Sequence, residues 1–409
     1  MDFITVEGVI MLKGNLIVGQ AGGPTSVINN SLCGIIQEAK KSKEIERIFG
    51  MRFGIQGFIK GNIVDLRQED EETIERLRDT PSSALGSSRY KLQDDDFPRV
   101  LEVLKKYNIR YFFMIGGNDT MDTTHRVEEY CAEKKYEIVC IGIPKTVDND
   151  LFGTDHTPGF PTAARFVALS VKQGGILARD MQTVDQFVIY QSIGRNAGWL
   201  PASSVVAKEK ESDAPHLIVI PERPLNKENF IKAVKRCYDK YGFVSIVCGE
   251  GATWDDGTPI SGSVIRDKFG NIEFGAMGGT STAMILHRII SSEFGWRGEF
   301  QITESLPMCC ADRMAKVDRE EAYLVGVQGV RLAVEGKSGV MVTLERKSNR
   351  PYVCKTGTIP LEEVTMKTKL MPDNYISDDG FFVTSEFIEY MRPLVGEMPR
   401  YAELRLKLV

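Results

Sequence analysis

A lysine and three aspartates crowd the segment that follows an apolar run at residues 139–143. Lys145, Asp148, Asp150 and Asp155 lie within the stretch PKTVDNDLFGTD. An aspartate can accept the proton of a hydroxyl group, and a nearby lysine can neutralise charge on the oxygens of a transferring phosphoryl group. The combination therefore suits phosphoryl transfer to a hydroxyl. A salt-bridged turn is the alternative interpretation, and it explains a lone DND motif well.

A second carboxylate follows another apolar run of the same kind. The stretch IGGNDT places Asp119 after two glycines at the end of residues 110–115. Two strand ends with similar chemistry are harder to explain as separate salt-bridged turns. We therefore favour a reaction site.

Two further segments could contact phosphate. Gly22 and Gly23 lie between an apolar run and a helical pattern at residues 27–41, where backbone N–H groups can approach an anion. The stretch SSALGSSRYKL supplies hydroxyls together with Arg89 and Lys91. A tight turn and an ordinary polar loop, respectively, are the alternatives for these two segments.

Nucleotide-binding signatures are missing from the chain. There is no GxGxxG and no GxxxxGK[ST] motif, which argues against an NAD-dependent dehydrogenase and a P-loop enzyme. The stretch EGKSG at residues 335–339 fails as a P-loop, because Arg331 occupies the place of the first glycine and the preceding residues predict a helix.

These candidates must be positioned by the elements around them. Apolar runs of strand length alternate with amphipathic stretches of helix length, and the runs are residues 15–20, 110–115, 137–143, 186–193, 216–220 and 244–248. This alternation predicts parallel sheets covered by helices on both faces. Ligands of such sheets bind beyond the carboxyl ends of the strands, where glycine and charged residues follow these runs.

Composition narrows the class of protein. A length of 409 residues predicts two or three domains. A composition of 42% hydrophobic and 26% charged residues indicates that these domains are folded. A net charge of -5 argues against a nucleic-acid partner, and no apolar run is long enough to span a membrane. The first residues lack the basic start of a signal peptide, and the 8 cysteines form no CxxC pair. We therefore expect a cytoplasmic protein with reduced cysteines.

Five stretches together resemble the phosphofructokinase family. IGGNDT, PKTVDNDLFGTD, SIGRNAGW, PERP and CGEG occur in the order and approximate spacing of its pyrophosphate-dependent branch, the diphosphate–fructose-6-phosphate 1-phosphotransferases. The resemblance extends from about Asn15 to the C-terminus. It implies an α/β fold of two Rossmann-like parallel-sheet domains with helices on both faces and the active site in the cleft between them.

The resemblance also implies a division of the chain. Residues 1–160 are expected to form a larger donor-binding domain whose sheet is partly completed by later segments. Residues 161–335 are expected to bind the acceptor, and residues 336–409 to pack back on the N-terminal domain.

The resemblance assigns roles to individual residues. Asp148 is similar to the catalytic base, and Lys145 to the lysine that binds pyrophosphate and stabilises the transition state. Asp119 and Lys145 would select pyrophosphate over ATP. The remaining implied contacts are Gly22, Gly23 and Arg89 to pyrophosphate, Thr146, Ile193, Gly194, Arg195, Glu250 and Arg297 to the sugar phosphate, and Asn118 and Asp150 to the metal.

Cofactor and partners follow from the same resemblance. We expect Mg²⁺ to bridge the phosphates, and pyrophosphate and a sugar phosphate to be the substrates. The implied reaction is reversible phosphorylation of fructose 6-phosphate in glycolysis and gluconeogenesis. A homodimer or homotetramer is expected, because acceptor contacts in the family come partly from a neighbouring subunit.

The chain departs from the family pattern at the acceptor. Gln186 and the segment Ser305-Leu306-Pro307-Met308 stand where relatives have arginines that bind the sugar phosphate. If fructose 6-phosphate is the acceptor, Arg195 should be joined by a cation from among Arg297, Arg313 and Lys316, with Arg297 reaching across a subunit interface. The alternatives are another acceptor, such as sedoheptulose 7-phosphate or an unphosphorylated sugar, and a non-catalytic regulatory subunit.

Overall fold

The computed structural model describes residues 5–6, 9–10, 12–262, 265 and 279–404. The strands are β1 (Thr5–Val6), β2 (Val9–Ile10), β3 (Gly14–Gln20), β4 (Ile45–Met51), β5 (Ile63–Asp65), β6 (Ile109–Gly116), β7 (Val139–Pro144), β8 (Phe187–Ser192), β9 (Leu217–Val219), β10 (Val244–Gly249), β11 (Gly298–Ile302), β12 (Val340–Asn349) and β13 (Tyr352–Pro360). The helices are α1 (Ile28–Ala39), α2 (Gly54–Ile59), α3 (Glu71–Arg76), α4 (Phe97–Lys106), α5 (Asn118–Glu133), α6 (Phe160–Asp180), α7 (Trp199–Ser203), α8 (Lys227–Tyr241), α9 (Thr282–Phe294), α10 (Lys316–Val334), α11 (Leu361–Thr365) and α12 (Ser385–Val395).

The larger sheet has the strand order β13-β12-β7-β6-β3-β4-β5. Its five central strands are parallel, and the outer strands β5 and β13 each pair antiparallel with their neighbour. Apolar residues cover both sides of β3, β6 and β7, which is why these three strands are largely apolar. Leu16 and Val18 of β3 pack toward α1 and α10, while Ile17 packs on the other side with α4.

The smaller sheet has the order β11-β8-β10-β9, and all of its strand pairs are parallel. The six strands predicted from apolar runs are present in the two sheets with ends shifted by at most two residues. The prediction of a two-sheet α/β fold with helices on both faces is therefore confirmed. The domain boundaries stay a prediction.

Some elements were not predicted, because their pattern is not apolar throughout. Strand β4 is half exposed at its start, and the hairpin of β12 and β13 is exposed at alternate positions beyond residue 344. Residues 335–339 follow helix α10 and not a strand, which agrees with the prediction that EGKSG is not a P-loop. Among the described residues, no helix is both long and apolar enough to cross a membrane.

A buried ion cluster joins the segment after β7 to α10 and β12. The His156 ring lies between two carboxylates, with Nδ1 2.8 Å from Asp155 and Nε2 2.6 Å from Glu321. Arg346 donates two hydrogen bonds to Asp155, and Tyr352 donates one to Glu321. Burial lowers the pKa of His156, but the two carboxylates more than offset this and raise it above its ordinary value. We infer that His156 is an imidazolium whose two N–H groups satisfy both carboxylates.

The change His156→Gln should destabilise the fold, because it leaves the buried Glu321 without a cation and leaves Asp155 with Arg346 alone. We expect a loss of about 3–5 kcal/mol in the free energy of unfolding, measured by denaturant titration. Since the folded-state pKa is raised, the contribution of His156 is full below pH 6.5 and is lost as the pH rises through the folded-state pKa.

The matched control is His125→Gln, which removes a surface pair with Glu129. Such a pair contributes about 0–1 kcal/mol, so this variant should unfold close to the wild type. Equal losses in the two variants would contradict the assigned role of His156.

Candidate active site

One cavity of about 480 Å³ lies where the strand ends of both sheets meet. The segments after β3, β6 and β7 supply one side, and those after β8, β10 and β11 supply the other. The residues that were predicted for the site and that line this cavity are Gly22, Gly23, Arg89, Asp119, Lys145, Thr146, Asp148, Ile193, Gly194, Arg195 and Glu250. Parallel strands place their carboxyl ends at the same sheet edge, which explains this convergence.

Lys145 is the first residue after β7, and it is only 3% exposed. Its ammonium donates a 2.6 Å hydrogen bond to the carbonyl oxygen of Gly23. Gly22 has φ +75°, and a Cβ atom there would lie 3.3 Å from the lysine Nζ. Burial lowers the pKa of Lys145 to about 8, while Asp148 and Asp150 partly oppose this shift. A cation is thus held against the glycine turn, and the turn needs glycine to admit it.

Asp148 and Asp150 share a short, tightly held loop. Burial raises the pKa of Asp148 to about 7, with Asp150 and Glu250 adding to the rise. Burial also raises the pKa of Asp150. Thr146 accepts a 3.1 Å hydrogen bond from the backbone N–H of Asp148, which fixes the start of the loop. A carboxylate with a pKa near neutrality is suited to accept a proton at physiological pH.

The opposite wall is formed by loops of the smaller sheet. Arg195 follows β8, and its Nε lies 3.9 Å from a carboxylate oxygen of Glu250, which follows β10. Glu250 also accepts a 3.4 Å hydrogen bond from the backbone N–H of Gly194. Burial raises the pKa of Glu250 to about 7, and Arg195 partly opposes this. An arginine and a carboxylate side by side can hold an anionic group and hydroxyls of one ligand.

Charged side chains also surround the end of the cavity near α5. Asp119, in the first turn of α5, pairs with Lys91 at 3.0 Å, and Arg89 lines the cavity beside them. The sequence identified Lys91 only as one cation of a polar loop. Its partner lies on a different strand end, so the pairing depends on the fold.

Two oxygen-bearing side chains are suited to a hard cation. Asn118 Nδ2 lies 3.3 Å from Asp150 Oδ2. Within the described part of the chain, the buried Asn118 Oδ1 has no hydrogen-bond partner. The described residues contain no group of three or more His, Cys, Asp or Glu side chains that could hold a metal. Mg²⁺ commonly uses one or two protein oxygens and completes its shell with waters and phosphates, so this pair fits.

Three predicted cations lie outside the cavity. Arg297 precedes β11, at the opposite end of that strand from the cavity, and it pairs with Asp185 at 2.9 Å. Arg313 donates a hydrogen bond to Ser170, and Lys316 is exposed at the start of α10. Gln186 bonds the backbone of Arg297 through its side chain. None of these three cations lines the cavity with Arg195 in this chain, and the expectation that a second cation joins Arg195 stays a prediction.

Some cavity residues were not predicted as ligands. Glu304, Ser305 and Met308 follow β11 and line the cavity, and Met308 packs 3.2 Å from where a Cβ atom on Gly23 would lie. The sequence analysis drew attention to this segment only because relatives have an arginine there and this chain does not. Strand β11 was not predicted, so no strand end marked these residues.

The comparisons with known proteins agree with this geometry. The family model described as phosphofructokinase matches residues 15–304. The pyrophosphate–fructose 6-phosphate 1-phosphotransferase of Rhodospirillum rubrum is 38% identical over 97% of this chain and 98% of its own length. The relative of the same name from Halomonas elongata is 34% identical over 94% of this chain and 92% of its own.

A solved structure gives the same result. The pyrophosphate-dependent phosphofructokinase of Nitrosospira multiformis superposes with a TM-score of 0.86 at 34% identity, covering 96% of this chain and 95% of that one. The residues that the family model matches include all of those that line the cavity except Ser305 and Met308. By sequence, fold and the position of its cavity, the chain belongs to the phosphofructokinase family.

Proposed function

We propose that the protein catalyses the reversible, pyrophosphate-dependent phosphorylation of fructose 6-phosphate to fructose 1,6-bisphosphate. The observation that carries the proposal is the buried ammonium of Lys145, held between the Gly22-Gly23 turn and the loop of Asp148. A donor without a nucleoside offers only charge and metal for binding, and a desolvated lysine supplies that charge. The names of the relatives described above support the same donor and acceptor.

On the acceptor side, Asp148 acts as the general base. Its carboxylate accepts the proton of the sugar 1-hydroxyl while that oxygen bonds to the phosphorus. The bond from phosphorus to the bridging oxygen breaks, and the leaving phosphate keeps the electron pair. Arg195, Glu250 and the backbone of Gly194 hold the sugar phosphate on the opposite wall, so the hydroxyl faces the base.

On the donor side, Lys145 neutralises charge on the transferring oxygens, and the Gly22-Gly23 turn offers backbone N–H groups. Arg89 adds a cation at the same end. Asp119 would repel the additional phosphate of ATP and so favours the smaller donor. Asn118 and Asp150 would hold Mg²⁺, which when bound neutralises the phosphate oxygens.

We propose a homodimer or homotetramer in which a neighbouring subunit completes the binding site for the phosphate of the acceptor sugar. Arg297 supports this, because its side chain is 75% exposed and lies at the far end of β11 from the cavity of its own protomer. A cytoplasmic location is part of the proposal, supported by cysteines that are all free.

The function is tested with purified protein, Mg²⁺, two donors and a panel of acceptors. We expect turnover with pyrophosphate to exceed that with ATP by at least tenfold, and fructose 6-phosphate to be preferred over sedoheptulose 7-phosphate and fructose. Mass spectrometry identifies the product. The double variant Asp119→Gly with Lys145→Gly should narrow the donor preference, because it removes both the donor cation and the repelling carboxylate. Comparable wild-type rates with ATP would refute the donor assignment.

Asp148→Asn should lower kcat by about 10²- to 10⁴-fold, since the amide cannot accept the proton. Binding of pyrophosphate, measured by calorimetry, should persist. The control is Asp95→Asn, which changes an exposed carboxylate that does not line the cavity and should keep full activity. More than a tenth of wild-type turnover in Asp148→Asn would show that another group is the base.

Arg195→Ala should raise the KM for fructose 6-phosphate about 30- to 150-fold with little change for pyrophosphate, because one charge-assisted contact of about 2–3 kcal/mol is lost. Arg297→Ala should raise the same KM if it acts on a neighbour. Hybrids of Arg297→Ala and Asp148→Asn subunits should then regain activity, since one site receives both intact residues. Hybrids no more active than their parents would exclude the contribution across the interface.

A further inference from the structure

A segment after α11 contacts the loop that contains Asp148 and Asp150. Thr368 forms an antiparallel bridge with Leu151, and the neighbouring Lys369 donates its backbone N–H to the carbonyl oxygen of Asp150 at 2.9 Å. This segment lies outside residues 15–304, the part of the chain that the family model matches. The catalytic loop is thus held in part by residues that the family match does not include.

The ammonium of Lys369 has three oxygen acceptors. They are Asn149 Oδ1 at 3.1 Å, the carbonyl of Thr154 at 3.1 Å and the carbonyl of Asp155 at 2.7 Å. Only the charged amine offers three N–H groups, so the geometry matches an ammonium. Burial lowers the pKa of Lys369 to about 7, and Asp155 and Asp150 favour its charged form.

The first of these acceptors lies between the two site aspartates. Asn149 has φ 55°, a left-handed conformation that is uncommon for residues other than glycine, although asparagine adopts it more readily than most. Its side-chain oxygen accepts from Lys369 and from the backbone N–H of Thr157 at 3.2 Å. The orientation of the Asp148 and Asp150 side chains therefore depends on the backbone conformation of Asn149. Lys369 helps to hold that conformation through its hydrogen bond to Asn149.

The same segment is bonded to the acceptor side of the cavity. The carbonyl of Lys369 accepts a 3.3 Å hydrogen bond from the indole N–H of Trp199, four residues after Arg195. Two residues further on, the backbone N–H of Met371 donates to Glu222, and Glu222 also accepts from the backbone N–H of Gly198. One short stretch thus bonds to the base loop and to the helix start that follows the acceptor arginine.

We propose that Lys369 is a positioning residue that sets the base loop relative to the acceptor loop. It touches no reacting atom. It acts by holding Asn149 in its left-handed conformation and by connecting Asp150 to Trp199. The effect on turnover rests on the proposed function, whereas the effect on the order of the loop does not.

The order of the loop is measured first, by amide hydrogen exchange of the full chain. In Lys369→Met we expect amides of residues 146–157 to exchange at least tenfold faster, because three hydrogen bonds to the loop are lost. Asn149 Oδ1 then keeps only the bond from the Thr157 N–H, and the Asp155 carbonyl keeps the bond from the Tyr390 hydroxyl. Peptides from α1 and β3 should be unchanged. The matched control is Lys367→Met in the same segment, whose exposed lysine lies over the Phe152 ring and should leave the exchange within about twofold.

Turnover is measured second, at a temperature at which circular dichroism shows the variants folded. We expect kcat of Lys369→Met to fall about 10- to 100-fold while both KM values stay within about threefold. General loss of folded enzyme would instead lower the active fraction, which titration of active sites reports. If Lys369→Met does not fold, Lys369→Gln, which keeps two N–H donors, should show the same pattern with a smaller loss of kcat.

A double-variant cycle shows whether Lys369 acts through Asn149. Glycine accepts the left-handed conformation, so Asn149→Gly keeps the turn but removes the acceptor. In that background Lys369→Met should cost at most about threefold in kcat, because the contact is already lost. A loss as large as in the wild-type background would overturn this mechanism.

Two results separate this inference from the proposed function. Unchanged loop exchange in Lys369→Met, or faster exchange with kcat within twofold of the wild type, would refute the positioning role. A wild-type protein that transfers no phosphoryl group from pyrophosphate would refute the proposed function, and the exchange experiment would still decide whether Lys369 orders the loop.

Discussion

The placement of one desolvated cation among carboxylates governs the site. Lys145 is buried at the end of β7, and an isolated buried ammonium would be strongly unfavourable. Its charge is offset by the Gly23 carbonyl and by two aspartates that are themselves poorly solvated. Each charge therefore requires the others, and the glycine turn must be close enough to share the cation. The geometry of this side of the cavity follows from this mutual dependence.

On the opposite wall, Glu250 and Arg195 also offset each other's charge, but they are farther apart. Glu250 is desolvated and faces Arg195 at a separation longer than a direct hydrogen bond. That spacing leaves room for ligand groups to approach both side chains. A tightly closed pair would instead have to be broken before substrate could bind, which would reduce affinity.

The sequence could place several of the cavity residues because they follow strands that it also predicts. Lys145, Asp148 and Asp119 come directly after β7 and β6, and parallel strands bring such positions to one edge. Arg297 was assigned by resemblance to the acceptor phosphate, yet it lies at the amino end of β11, an exposed edge strand without a clear apolar pattern. Lys369 had no local signal, since a lysine in an irregular segment is ordinarily solvated. Its role depends on contacts with residues more than two hundred positions earlier, which no local pattern encodes.

The position of β12 has a consequence for synthesis of the chain. Val340 and Met341 pair with Ile141 and Gly142, so the strand that precedes the catalytic loop gains its outer neighbour from a late part of the polypeptide. On the ribosome, this edge of β7 has no partner strand until Val340 and Met341 have emerged. Unpaired edges of apolar strands can pair with strands of other chains, which leads to aggregation. Correct folding of the nascent chain therefore requires that α10 and the β12–β13 hairpin cover this edge first. The loop that contains Asp148 and Asp150 is thus synthesised well before the strand that completes the sheet beside it.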